Sequence, residues 1–268
     1  APPSAAEAGV HPAASVAPDA VLGEGVSVAP TAVVEAAAVL GAGTRVGPGA
    51  WIGAGVSVGE GCEIGAGARL YPRTRLGARC RIHAGAVLGA PGFGFTPDER
   101  GRWIRIEQLG GVLLGDDVDV GANSTVDCGA IGDTVIGNGV KIDNQVQVGH
   151  NSRIGDHTLI CGCTGIVGST VIGRHCVLAG GVGVGGDGPI SLCDGVIVSA
   201  MTHVSRSVHV PGTYSGGVLH APNGEWKKNA LRFARLDRWV RDLQALARRV
   251  SALEGRGGAS GARARRHR

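Results

Sequence analysis

The sequence predicts an all-β chain, a parallel β-helix of hexapeptide repeats with a C-terminal α-helical extension, and three observations carry that prediction. First, aliphatic residues recur at every sixth position, at Val10, Val16, Leu22, Val28, Val34, Leu40, Val46, Ile52, Val58, Ile64, Leu70, Leu76, Ile82 and Leu88. Neither the period of an α-helix nor the alternation of an ordinary strand gives that spacing. A coil that turns a corner every six residues does, three hexads closing one triangular turn and the aliphatic side chains stacking in ladders. Second, a small or branched residue stands four positions after each aliphatic one, as in Ala32, Thr44, Cys62 and Cys80, and Gly often follows the aliphatic residue directly, as in Val46-Gly47. Third, the chain holds 48 Gly but only 3 Phe, 4 Trp and 2 Tyr among 268 residues, so its interior is narrow and built from small and aliphatic side chains.

Taken in order, residues 1–210 form the β-helix. The hexad phase breaks after Leu88, resumes at Leu114, Val120 and Val126, slips by four residues to Ile136, and slips by two more between Val184 and Leu192. An insertion cannot enter the stack, so it leaves as a loop, and loops on such a scaffold collect function. The first, residues 90–111, carries Phe93, Phe95 and Trp103, which either close the loop on itself or touch a substrate. Residues 211–255 form a Pro/Gly-rich crossing and a helix. There Leu236, Trp239, Leu243, Leu246, Val250 and Leu253 alternate spacings of three and four, a short seam suited to self-association. Residues 256–268 read as a flexible basic tail.

Charge is unevenly placed. From Glu225 onward 13 Lys/Arg face 4 Asp/Glu, a net +9, whereas residues 1–224 carry a net −5. No run of 18 apolar residues and no secretory leader pattern is present, which points to a cytoplasmic protein without a transmembrane segment. Seven cysteines without a CxxC pair fit reduced thiols, with Cys62, Cys80 and Cys176 as core fillers. The Gly-rich stretch Gly180–Gly186 resembles a phosphate loop only superficially, because Leu178 and Val184 carry the hexad register straight through it.

Among nine histidines, His150 stands out. It follows the ladder residue Val148 by two positions, which sets it at a coil corner beside the polar run Asp143-Asn144-Gln145-Val146-Gln147. An imidazole there suits general base catalysis on an attacking amine or hydroxyl. The competing use is metal ligation, but His150 and His157 sit at different hexad phases and no third ligand accompanies them, so no metal site is expected.

The segments Gly92-Phe93-Gly94-Phe95, Trp103-Ile104-Arg105-Ile106, Gln108-Leu109-Gly110-Gly111-Val112 and Asp127-Cys128-Gly129-Ala130 resemble the UDP-3-O-(3-hydroxyacyl)glucosamine N-acyltransferase family. So do Asp143-Asn144-Gln145, Val148-Gly149-His150-Asn151, Pro211-Gly212-Thr213-Tyr214-Ser215 and Trp226-Lys227-Lys228, so the resemblance runs from Gly9 to about Arg249. It implies a homotrimer of left-handed β-helices with active sites between subunits, acting in lipid A biosynthesis. The reaction implied moves a 3-hydroxyacyl chain from acyl carrier protein to the 2-amine of UDP-3-O-acyl-glucosamine. No resident cofactor is implied, since the acyl group travels on the carrier's phosphopantetheine, and no nucleic acid.

Carried onto this sequence, the resemblance makes His150 the general base, with a backbone N–H stabilising the thioester oxyanion. Asp143 and Asn144 fall near the sugar or the histidine, and Gln147 and Met201 near the acyl groove, with Phe93 and Phe95 as substrate contacts from the loop. Arg232, Arg235, Arg238 and Arg241 would present positive charge to the acidic carrier protein. Two departures accompany the resemblance. The family's N-terminal uridine-binding domain does not precede the first hexad here, and Gly186-Asp187-Gly188-Pro189 stands where the family places a second histidine. Two other classes therefore stay open: a coenzyme A-dependent nucleotide-sugar acetyltransferase, which needs no carrier-docking helix, and a non-catalytic trimeric β-helix paralogue.

Overall fold

The structure, a computed structural model, describes residues 8–217 and 220–263. Two compact units divide between Gly217 and Val218.

The first unit is a parallel β-solenoid. Its strands, mostly two residues long, assemble into three sheets of 11, 10 and 9 strands, each the face of a triangular prism. Where the hexads run unbroken, residues 18 apart in sequence are paired: Ile64 with Val46 below and Ile82 above on the first face, Leu70 with Ile52 and Leu88 on the second. Each coil borrows its hydrogen bonds from the next, as in Gly47 N–H to Ile64 C=O at 2.7 Å and Gly65 N–H to Ile82 C=O at 2.6 Å. Three hexads per turn make that register automatic, so every ladder residue lands on another ladder residue.

The predicted ladders are the core. Leu40, Ile52, Leu70, Ile82, Leu88, Ile160 and Leu178 are fully buried, as are Ala32, Ala50, Cys62 and Cys80 on the second ladder. That second ladder lies where the corner carbonyls of the next coil turn inward, which explains its hydroxyls and thiols. Thr44 Oγ1 donates to Gly59 C=O at 2.9 Å, Thr158 Oγ1 to Gly173 C=O at 2.8 Å, and Cys80 Sγ to Gly115 C=O at 3.1 Å. A buried hydroxyl so satisfied adds stability rather than carrying a desolvation penalty. Its hydrogen bond with Cys62, and burial after that, push the Cys80 thiol far above its ordinary range, so it stays a neutral filler, as expected of it.

The glycines meet two demands. Gly55 takes φ +67° at a corner, a conformation that costs an L side chain, and a Cβ on Gly59 would stand 2.4 Å from the Gly77 carbonyl oxygen of the next coil. Outward ladders are charged in places: Arg45 pairs with Glu63, Lys141 with Asp119 at 2.8 Å, and Arg79 with Asp117 at 2.7 Å.

Two boundaries differ from the sequence reading. The solenoid does not stop at residue 210, because Gly212–Tyr214 adds a last strand beside Val196–Val198, and Tyr214 Oη donates to Val210 C=O at 2.8 Å. An open edge of unpaired backbone groups gives that segment its partners despite the Pro and Gly around it. The second unit contains two helices, α1 (Asn223–Phe233) and α2 (Leu236–Arg263), interrupted at Ala234 and Arg235. Helix α2 carries all six apolar seam residues, each exposed, and runs into the stretch expected to be a flexible tail. The rest of that expected tail, residues 264–268, lies outside the described residues, as do residues 1–7 of the expected β-helix.

The ladder positions should dominate stability. Truncating Ile52, which is fully buried, to Ala is expected to cost roughly 2–5 kcal/mol, whereas Val39→Ala, at a half-exposed outward position, should cost well under half of that. Urea denaturation of the two variants side by side reads the difference.

Candidate active site

His150 stands at the corner between the second and third faces, immediately after the strand Gln147–Val148. The same corner two coils earlier is where residues 90–111 leave the stack. That insertion folds as an antiparallel hairpin pairing Phe95 with Arg105 and Pro97 with Trp103. Asp98 ties its turn by accepting the backbone N–H groups of Arg100 and Arg102 at 2.9 and 2.8 Å. Arg73 holds its return, donating from Nε to Gly110 C=O at 3.1 Å and from Nη2 to Gln108 C=O at 3.3 Å.

The hairpin closes on itself, one of the two uses that the sequence left open, and it also borders a pocket. It packs on itself, with the Phe93 and Phe95 rings 5.0 Å apart and the Arg105 guanidinium 5.9 Å over Phe95. It also walls a pocket of about 650 Å³ whose lining includes Phe93, Phe95, Trp103, Gln108 and His150. Phe93 and Trp103 remain 86% and 72% exposed, far more than rings serving only to close a loop would be.

The imidazole is clamped by its neighbours. Asn151, at φ +60°, accepts the Ala130 N–H on Oδ1 at 2.9 Å and donates from Nδ2 to Gly132 C=O at 3.1 Å. Those two bonds fix which end of the amide is oxygen, and that oxygen lies 3.1 Å from His150 Nδ1. In the neutral ring Nδ1 therefore carries the proton and Nε2 the lone pair, the arrangement a general base requires. Two glycines make the room, one at the start of the insertion and one on the coil above: a Cβ on Gly92 would stand 2.8 Å from His150 Cβ, and one on Gly168 would stand 2.6 Å from Nε2.

A carboxylate lies close by. Asp127, half-buried one coil below, accepts the Gln147 Nε2 donor at 2.9 Å, and the opposite end of that amide meets Thr125 Oγ1. Burial raises the Asp127 carboxyl above its ordinary value of 3.8, while the Gln147 bond and the nearby His150 pull the other way.

The predicted site residues do not all gather in one place. His150, Phe93 and Phe95 share the pocket, whereas Gln147 does not line it and bonds Asp127 instead. Asp143 and Asn144 sit at the preceding corner, between the first and second faces, where they bond backbone of neighbouring coils: Asp143 Oδ2 accepts from Gly162 N–H at 2.9 Å and Asn144 Oδ1 from Ala122 N–H at 2.7 Å. Met201 occupies that same corner higher up, 76% exposed, its sulfur against Gly181. His157 stacks on His175 at the third corner, ring centroids 5.3 Å apart, so it does not approach His150. In the second unit, Arg238 pairs with Asp242 and Arg241 with Asp237 on their own helix, whereas Arg232 lies on α1 and Arg235 in the break.

Residues 55–90 and 133–168 match the family described as bacterial transferase hexapeptide (six repeats). The chain is 61% identical over 250 residues to a UDP-3-O-acylglucosamine N-acyltransferase of Bordetella avium (strain 197N), an alignment that covers 92% of this chain and 67% of that relative. The chain belongs to the UDP-3-O-acylglucosamine N-acyltransferase family. Members from Hahella chejuensis and Pseudomonas paraeruginosa are 47% and 50% identical over 63% and 65% of this chain. The chain spans 46% and 49% of their length, about half. Among solved structures, UDP-N-acetylglucosamine acyltransferases of Bacteroides fragilis and Arabidopsis share the fold. Their TM-scores are 0.59 and 0.60 at 22% and 19% identity, over 78% and 85% of this chain and 71% and 79% of theirs.

Within this family member, four contributors escaped the sequence reading. Asn151 was visible only as a neighbour of His150, and Gly168 could have been found from the register, since it lies eighteen residues on and hence one coil above. Asp127 and Gln108 each open a segment that carries the family resemblance, but neither was given a role, because the first depends on its coil neighbour and the second on how the hairpin returns.

Two outcomes follow. Gly168→Ala should displace the imidazole and lower turnover by about a hundredfold without unfolding the chain, read by steady-state rates beside circular dichroism. For Asp127 the folded state holds its proton more tightly than the unfolded state does. The group therefore subtracts stability as pH rises above 3.8 through its raised value, and subtracts none below. Asp127→Asn should accordingly melt higher than the parent at pH 7, with the gap closing near pH 3.

Proposed function

We propose that this chain carries the acyl-transfer centre of an enzyme of lipid A biosynthesis in the cytoplasm. It moves a 3-hydroxyacyl group from the phosphopantetheine thioester of acyl carrier protein to the 2-amine of UDP-3-O-acyl-glucosamine. The observation that carries this reading is the imidazole of His150, its Nδ1 held by Asn151 and its Nε2 free at the end of an aromatic pocket. The 61% identity to a relative bearing that name supports it.

In the reaction, the amine nitrogen attacks the thioester carbonyl carbon. His150 Nε2 takes a proton from the nitrogen as the C–N bond forms, and the carbonyl becomes an oxyanion. The backbone of Gly168 stands against Nε2, and its N–H is the donor we assign to that oxyanion. Collapse of the tetrahedral intermediate breaks the C–S bond, and the imidazolium returns the proton to the departing pantetheine thiolate. Phe93, Phe95 and Trp103 offer an apolar wall for an acyl chain and keep water from the thioester. No resident cofactor enters these steps.

The enzyme acts as a homotrimer in this reading. Asp143, Asn144 and Met201 stand on a different corner from His150, and a cleft between copies would bring one copy's first corner to the next copy's second. The exposed seam on α2 suits the same assembly. Acyl carrier protein is acidic, and we assign its docking to the basic helical unit. Among the described residues Arg232 and Arg235 have no carboxylate partner, so they lead, with Arg238 and Arg241 half-neutralised by their own helix.

Mass-spectrometric acyl transfer tests the reading. Offered UDP-3-O-acyl-glucosamine and 3-hydroxyacyl carrier protein, the chain should yield the N-acyl product, and His150→Ala should cut the rate by roughly 10²- to 10⁴-fold. Transfer from acetyl coenzyme A in preference to the carrier thioester would replace this reading with the nucleotide-sugar acetyltransferase.

A further inference from the structure

Gln108 sits on the returning arm of the hairpin, 8% exposed. Its Nε2 donates to Ile106 C=O at 3.1 Å, which fixes the amide and sends Oε1 the opposite way. Among the described residues only two buried side-chain polar atoms lack a hydrogen-bond partner, Thr170 Oγ1 and Gln108 Oε1. Thr170 is sealed inside the coil, whereas Gln108 borders the pocket. Buried acceptors are nearly always paired, so one left open beside a pocket marks where a ligand donor belongs.

The position of that oxygen identifies the donor. The point where a Gly92 Cβ would stand is 3.0 Å from Gln108 Oε1 and 3.1 Å from His150 Cδ2, so the acceptor and the imidazole edge that carries Nε2 are neighbours. A neutral primary amine has two N–H bonds and one lone pair. His150 Nε2 accepts one hydrogen, and for the lone pair to point at a carbonyl carbon the second hydrogen needs an acceptor of its own. A hydroxyl nucleophile has a single hydrogen and would leave one of the two acceptors bare, a penalty that sites built for polar groups use to reject analogues.

We propose that Gln108 Oε1 receives the second N–H of the attacking amine, which makes Gln108 a catalytic residue that orients the nucleophile's lone pair and selects an amine over a hydroxyl. The assignment rests on the reading that the chain acylates an amine, and deepens it.

The test is Gln108→Met in the same transfer assay, with circular dichroism and thermal melting as controls. The substitution removes the unpaired acceptor together with the Nε2 bond to Ile106 C=O, two opposing effects that should leave the melting temperature little changed, while kcat with UDP-3-O-acyl-glucosamine falls about tenfold to a hundredfold and KM for the carrier thioester holds. If the wild-type chain transfers nothing to the amine, the functional reading fails before this one is reached. If wild type transfers and Gln108→Met transfers as fast, the assignment of Gln108 is overturned. If the loss disappears with an acyl donor lacking the 3-hydroxyl, the oxygen serves that hydroxyl and the amine assignment falls. Gln108→Asn, which withdraws the acceptor by one methylene and stays polar, carries the same test if the Met variant does not fold.

Discussion

Everything in the solenoid depends on one coil finding its hydrogen-bond partners in the next at a fixed offset of residues. Two-residue strands have almost no internal stability, and a coil alone would leave its backbone unpaired and its aliphatic ladder in water. Stacked, the backbone bonds such as Gly47 N–H to Ile64 C=O and the buried column through Val46, Ile64 and Ile82 enforce the same register, so hydrogen bonding and hydrophobic burial cannot be satisfied separately. The glycines follow from that spacing. Coils this close leave no room for a side chain at the inner corner, as at Gly59, and the tight corner demands the left-handed conformation that Gly55 supplies.

The site is an offence against the repeat, tolerated at one corner. Where neighbouring coils carry small residues, this corner admits an imidazole, an asparagine and an insertion of some twenty residues. Gly92 and Gly168 keep backbone close on either side of the ring, and Asn151 spends its side chain bracing the loop that bulges after Gly129. The same amide that braces the loop sets the tautomer of His150, so the geometry of a base is obtained from a residue whose first task is to close a turn.

The sequence made the scaffold legible and the site only partly so. A period of six is unmistakable in Val46, Ile52, Val58 and Ile64, because each position faces the same environment in every coil. Register also carried His150 to a corner. It could not say that Asp143 and Asn144 would be occupied in bonding Gly162 and Ala122, since a polar run reads alike whether it caps coils or meets a substrate. The last strand at Gly212–Tyr214 was hidden by the Pro and Gly beside it, and the interruption at Ala234 has no helix-breaking residue to announce it. Gln108 was hidden for a deeper reason. Its role arises from the hairpin's return path, a tertiary fact with no periodic trace.

A stack in which each turn touches only its neighbours also distributes rigidity unevenly. The strand before His150 is the seventh of ten on its face, well away from either end. In the first described coils Val10 is exposed and Leu22 only partly buried, less than the ladder residues further on such as Ile52. Loosening there passes inward one interface at a time and is weakened at each. The His150 corner thus has stacked coils on both sides and is insulated from loosening elsewhere by distance in coils rather than by a surrounding shell.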